Sequence, residues 1–177
     1  RLVAAGGRVL HHLAHLASAY YPSGFERAVA LSVDGFGDFA SAAWGAGING
    51  RLTVDGKVRF PHSLGVYYQA LTQFIGFPHY GDEYKVKGLA PYGEPKQVDL
   101  IRRHLIDIKD DGSFRLNLDY FDYCTGLSMT NARFHALFGG PPRVAEAPIE
   151  PRHLDLAASI QKITEEIVLK LATSLQR

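Results

Sequence analysis

Three histidines, His11, His12 and His15, fall within five residues, and an aspartate, Asp34, follows in "SVDGFGD". His11 and His15 are four apart, so on a helix they stack on one face, the spacing at which a helix offers two imidazoles to one metal ion. His12 is turned about 100° away on a regular helix, so the three cannot all serve one ion. His12 with His15, three apart, is the other possible pair. Two imidazoles need a third ligand. A carboxylate completes a set with open positions that suits Fe(II), with Zn(II) or Mn(II) as alternatives. Asp34 is the candidate, because it ends an apolar run just before Gly35, where a carboxylate projects from a sheet edge into a cleft. The competing reading is a surface helix with an accidental histidine cluster, and spacing does not decide between the two.

The elements that must position these residues are legible as patterns. Val9, Leu10, Leu13, Leu16 and Ala17 recur at helical spacing over residues 8–20, and "YYPSG" ends that helix. "RAVALSVD" is a short apolar run suited to a buried strand, "GFGDF" a glycine-rich turn and "ASAAWGAG" its returning strand. "ING" and "VDGK" are further turn signals, so residues 28–60 read as a meander of hairpins. From Gly65 onward helices dominate: "GVYYQALTQFIG", a turn or so around Glu83–Gly88, "PKQVDLIRRHL" with proline in its first turn, and "NARFHALFG". "IDIKDDGSFRLNL" reads as a hairpin. Leu156, Ile160, Ile163, Ile167, Leu171 and Leu175, three and four apart, mark the longest helix. The class is mixed α/β.

Composition bounds the function. The chain has 177 residues, 46% hydrophobic and 21% charged, enough for one domain or one large lobe with a core. A net charge of +1 gives no electrostatic reason to expect nucleic acid or an anionic membrane as partner, and no apolar run is long enough to span a bilayer. Cys124 is the single cysteine and cannot form an internal disulfide, so a cytoplasmic home is the simpler expectation. The chain begins at Arg1 and stops inside a helical pattern, and we read it as a stretch of a longer polypeptide.

The glycine-rich turn offers a second chemistry. In hairpins that hold nucleotide phosphates, glycines let backbone N–H groups approach closely. Most Asp-Gly pairs are simply turns, and the motif alone leaves both readings open.

Five segments occur in order: "HHLAHLASAYYPSGF", "SVDGFGD", "PHSLGVYYQALTQFIGF", "DEYKVKGLAPYGEP" and "HLDLAASIQKITEEIVLKLA". Together they resemble the NodU/CmcH carbamoyltransferase family, O-carbamoyltransferases of nodulation and antibiotic tailoring, from about Val9 to Leu171. The resemblance implies an α/β fold that is part of an actin-like ATPase (Kae1-like) domain. Residues 1–26 would end the first lobe with the metal-binding helix, and residues 27–177 would form a second-lobe segment with a mixed sheet and packed helices. The family's metal-binding HxxxH falls on His11 and His15 and its strand-end aspartate on Asp34, with iron the expected ion. Asp34, Gly35, Phe36 and Gly37 would lie beside the phosphate and carbamoyl end of the adenylate.

The implied activity is transfer of a carbamoyl group from carbamoyladenylate to a hydroxyl of a small-molecule acceptor. Carbamoyl phosphate and ATP would supply the adenylate through a YrdC-like domain. That domain, the histidine base, a further aspartate ligand and the adenosine-binding region would all lie outside this chain, leaving the stretch inactive by itself. Asp119, Asp122 and His135 are expected to border an acceptor pocket, whereas Lys85, Glu83 and Asp82 read as a solvated loop. Lys87 departs from the family pattern, which has methionine there. Two other readings remain: the threonylcarbamoyl-tRNA or hydrogenase-maturation branch, which shares the HxxxH element, and a non-catalytic actin-like binding module.

Overall fold

The computed structural model describes residues 10–176, which include α1 (His11–Tyr20), β1 (Arg27–Gly37), β2 (Ala40–Ile48), β3 (Arg51–Leu52) and β4 (Gly56–Arg59). There follow α2 (Leu64–Phe74), α3 (Glu83–Leu89), α4 (Val98–His104), β5 (Ile106–Ile108), β6 (Phe114–Leu116), α5 (Ala132–Leu137) and α6 (Pro151–Leu175). Val9, placed in the first helix by periodicity, lies outside the described residues. The architecture is mixed α/β. The chain divides into two compact units, one running to Gly65 and including the residues from Ala172 on, the other Val66–Leu171.

In the first unit β2 pairs with β1 along one edge and with β3 and β4 in succession along the other. Every strand pair among the described residues is antiparallel. The mixed sheet implied by resemblance is therefore not found in this stretch. Its strands follow one another through short turns, and parallel neighbours need crossover connections of a dozen or more residues. Ala30 and Ser32 are buried while Val29 and Val33 are exposed, the alternation of a strand covered on one face. The cover is α1, whose His12, Leu16 and Tyr20, four apart, are buried. Leu16 packs with Ala30 and Ala43, small residues that let the helix approach the sheet closely.

The second unit has its core around α2 and α6. Tyr67, Leu71 and Ile75 are fully buried, as are Ile101, Leu105, Phe134, Ile160, Ile163 and Ile167. The long helix thus buries its predicted stripe from Leu156 to Leu171, while Leu175 is only half-buried. It begins at Pro151, ahead of the expected start, because proline suits the first helical position and His153 Nδ1 accepts the Glu150 N–H at 2.9 Å. Conversely, α4 starts only at Val98. The amides of Glu94 and Gln97 donate instead to Asp155 and Ser159 of α6, at 2.9 Å each. The Asp-Gly turn between β5 and β6 is as predicted, and Gly112 at φ 85° supplies its left-handed residue. Arg143 bonds the carbonyls of Ile75, Gly76 and Ala147 and lies over the Phe77 ring, tying residues 143–147 to the end of α2.

Two stability predictions arise from this core. The Tyr67 hydroxyl is buried and without a hydrogen-bond partner among the described residues, and burial pushes its pKa far up. An unsatisfied buried hydroxyl costs about 1–3 kcal/mol. Tyr67→Phe is therefore expected to raise stability by about 1 kcal/mol in denaturant unfolding. The second concerns acid. Burial lowers the pKa of His135 and His153 below the ordinary 6.5. A histidine kept neutral in the fold contributes stability above its unfolded pKa and loses it as pH falls, because the unfolded chain then binds the proton more readily. Stability is expected to decline below about pH 6.5, and the decline should be shallower in His153→Gln.

Candidate metal centre

The three sequence-selected residues meet. His11 Nε2 lies 2.8 Å from Asp34 Oδ2 and 3.0 Å from His15 Nε2, and His15 Nε2 lies 3.4 Å from the same Asp34 oxygen. Metal–ligand bonds of about 2.1 Å at right angles would set neighbouring ligand atoms about 3.0 Å apart. The three separations straddle that value, so the donor set fits one face of an octahedron around a single small divalent ion. The histidines are four apart on α1, where their side chains stack beside the buried His12–Leu16–Tyr20 row. Asp34 has the same parity on β1 as Ala30 and Ser32 and shares the face that α1 covers.

The strand does not continue regularly past Val33. Pairing passes from Val33↔Ala42 to Gly37↔Ala40, so Asp34, Gly35 and Phe36 together stand opposite Ser41 alone. A bulge of this kind re-aims side chains, and it does so here at the carboxylate. The Ser63 hydroxyl donates to Gly35 O at 2.6 Å, and a side chain on Gly65 would run into the Asp34–Gly35 peptide at 2.7 Å. Asp34 Oδ1 accepts the Gly35 N–H at 2.7 Å, leaving Oδ2 for the histidines. Burial raises the Asp34 pKa. The His11 hydrogen bond, the Gly35 N–H and the two imidazoles outweigh it and hold the carboxyl below its ordinary value. It is an anion at neutral pH, as a metal ligand must be.

His12 belongs to the fold. The Ala40 carbonyl can only accept, so the His12 Nε2–H donates to it at 2.9 Å, and Nδ1 accepts the Ser32 hydroxyl at 3.0 Å. Both nitrogens are engaged in the buried interior, which disposes of the His12–His15 alternative.

The residues expected around an adenylate divide. The expected glycine-rich turn shrinks to Asp38 and Phe39, with φ of 52° and 58°, the two-residue loop of a type I′ hairpin. Gly35 and Gly37 sit in the strand. Gly35 opens onto free space on its Cβ side, although its N–H is already held by Asp34. Phe36 packs on Phe60, with ring centroids 5.2 Å apart. Gly37 lies against the His11 imidazole, and a Cβ there would fall 2.0 Å from the ring.

Asp119 and Asp122 lie in the second unit. Asp119 is exposed and pairs with Arg133 at 3.2 Å, while the Asp122 carbonyl accepts the Gly126 N–H at 2.7 Å and closes its own loop. His135 bonds Thr130 and stacks on Phe74. Lys85 is held at 2.7 Å by Asp82, whose carboxyl it lowers, and Lys87 is exposed. A concavity of about 410 Å³ lined by Tyr20, Phe25 and Asn49 lies at the end of α1 remote from His11. Sequence reasoning did not single out Ser32, Ser63 or Gly65, and their contacts follow from folding alone.

The comparisons with known proteins bear on the family. The chain is 51% identical to an uncharacterised protein of Synechocystis over 93% of its length, covering 27% of that relative. It is 36% identical to the nodulation protein NolNO of Sinorhizobium fredii over 90% of its length, and 32% identical to the nodulation protein NolO of Bradyrhizobium diazoefficiens over 89%. The chain spans roughly a quarter of each relative, between 22% and 27%. Residues 8–177 match the family described as the carbamoyltransferase N-terminus, and the chain belongs to that family.

Proposed function

We propose that this chain is the metal-holding part of an O-carbamoyltransferase and that His11, His15 and Asp34 bind one divalent ion, Fe(II) in the working protein. The observation that carries the reading is the convergence of these three donor atoms within 3.4 Å of one another. Membership of a carbamoyltransferase family supports the activity. The rest of the reading follows from the resemblance. It comprises an actin-like ATPase (Kae1-like) architecture, ATP and carbamoyl phosphate as co-substrates, a YrdC-like partner domain, a small-molecule hydroxyl acceptor and a cytoplasmic setting.

In the reaction the acceptor oxygen bonds to the carbamoyl carbon, the bond from that carbon to the adenylate phosphate oxygen breaks, and AMP leaves. The acceptor proton passes to a base. A bound divalent ion would supply Lewis-acid stabilisation of the charge gathering on the phosphate and carbamoyl oxygens. Asp34 keeps its anionic oxygen pointed at the centre because its other oxygen is tied to the Gly35 N–H. The open side of Gly35 leaves room for a substrate group beside that carboxylate.

The test is transfer of radiolabel from carbamoyl phosphate to a hydroxyl acceptor by the longer protein carrying this chain, with ATP present. The reading expects transfer that stops on chelation and in His15→Ala. ATP-dependent transfer that survives both would overturn the metal's role.

A further inference from the structure

One carboxylate near the triad is not among its donors. The N-cap of α1, Leu10, provides no side-chain hydrogen bond, and the first turn contains no acidic residue. The acceptor comes from far along the chain instead: the His11 backbone N–H donates to Asp38 Oδ2 at 2.7 Å. That N–H is one of the amides a helix leaves unbonded at its start. Asp38 holds this position at φ 52°, a left-handed conformation that L residues rarely adopt, and exposed Phe39 follows at φ 58°. The residue before them, Gly37, has the His11 imidazole where a side chain would be.

His11 is therefore gripped from two sides by one hairpin. Its backbone is bonded to Asp38 and its ring rests on Gly37, while its Nε2 meets Asp34 of the same hairpin at 2.8 Å. We propose that Asp38 is a positioning residue of the metal centre, clamping the start of α1 onto the hairpin that carries Asp34. The proposal rests on the metal reading above. It explains a strained turn: the left-handed aspartate places its carboxylate under the His11 amide, where a relaxed glycine would have nothing to offer.

Two substitutions separate the clamp from the fold. Asp38→Gly suits the left-handed backbone but removes the acceptor, whereas Asp38→Asn tolerates the same backbone and keeps an oxygen for the His11 N–H. In Mn(II) titrations of the full chain, Asp38→Gly is expected to lower affinity about 10–100-fold, the usual cost of removing a group that orients a ligand. Its thermal midpoint should not fall. Asp38→Asn is expected to bind Mn(II) close to wild type.

A metal-free readout runs in parallel. The contact between the His11 ring and Gly37 Hα, seen as an NOE, and slow exchange of the His11 amide should be present in wild type and Asp38→Asn, and lost in Asp38→Gly. Retention of both in Asp38→Gly overturns the proposal, as does an Asp38→Asn affinity as low as that of Asp38→Gly. If wild type binds no Mn(II), the metal reading fails, and the NOE and exchange data decide the clamp on their own.

Discussion

Asp34→Ala is expected to weaken divalent-metal binding by at least about 100-fold, a larger loss than the roughly 10–100-fold typical of a group that only supports a ligand. The substitution removes the one anion of the triad, whose Oδ2 approaches both imidazoles. The fold has less to lose. The Asp34 side chain is 41% exposed, and its remaining bond is to the neighbouring Gly35 N–H. Solvent screens such a group strongly, so the thermal midpoint without metal should move little.

The pH dependence has a fixed sign. Because the folded-state pKa of Asp34 lies below its ordinary 3.8, its contribution to stability is present above that value and lost as pH falls through the folded pKa. Asp34→Asn separates charge from shape, since it keeps an oxygen for Gly35 and loses the anion. It should bind metal almost as poorly as Asp34→Ala. Isothermal titration with Mn(II) measures all three proteins. Near-wild-type affinity in Asp34→Ala would remove the carboxylate from the site.

Phe134→Ala is expected to cause the largest loss of stability, about 3–5 kcal/mol. Phe134 on α5 is completely buried, and its ring lies 4.9 Å from Phe138, 5.1 Å from Phe74 and 5.8 Å from Phe121. Removing it takes a ring from each of these pairs and leaves a cavity that α2 can fill only by moving. Domains are stable by about 5–15 kcal/mol in all, so the variant is expected to be marginal at room temperature. Urea unfolding measures it. A loss below about 1 kcal/mol would mean that the cluster closes over the gap, which the cavity cost argues against.

The parts of this structure that were legible in the sequence are those with a strong period. The stripe from Leu156 to Leu171 predicts α6, and the His11–His15 spacing beside Leu16 predicts α1. The convergence of the three donors was legible for a related reason: helical spacing stacks two imidazoles on one face, and an aspartate closing an apolar run is a natural carboxylate to meet them. What the pattern did not reveal depends on contacts distant in sequence. The stretch before α4 is held by α6, about 60 residues away, where Asp155 and Ser159 accept the Glu94 and Gln97 amides. The bulge at Asp34–Phe36 leaves no periodic trace, and Gly35 and Gly37, read as turn residues, proved to be strand residues, of which Gly37 makes room for His11. The left-handed Phe39 defies the preference for glycine at the second position of such turns, although Asp38 suits the first, so the true turn was hidden behind the more obvious glycines. His12 looked like an alternative ligand until Ser32 and Ala40 took both its nitrogens.

The central claim is that His11, His15 and Asp34 hold one metal ion. Electron spin-echo modulation of the chain loaded with one equivalent of Mn(II) tests it most directly, because it counts the nitrogens bound to the ion. Coupling to two imidazole nitrogens, falling to one in His15→Gln, is the predicted result. An Mn(II) signal with no nitrogen coupling, or one unchanged in His15→Gln, would contradict it.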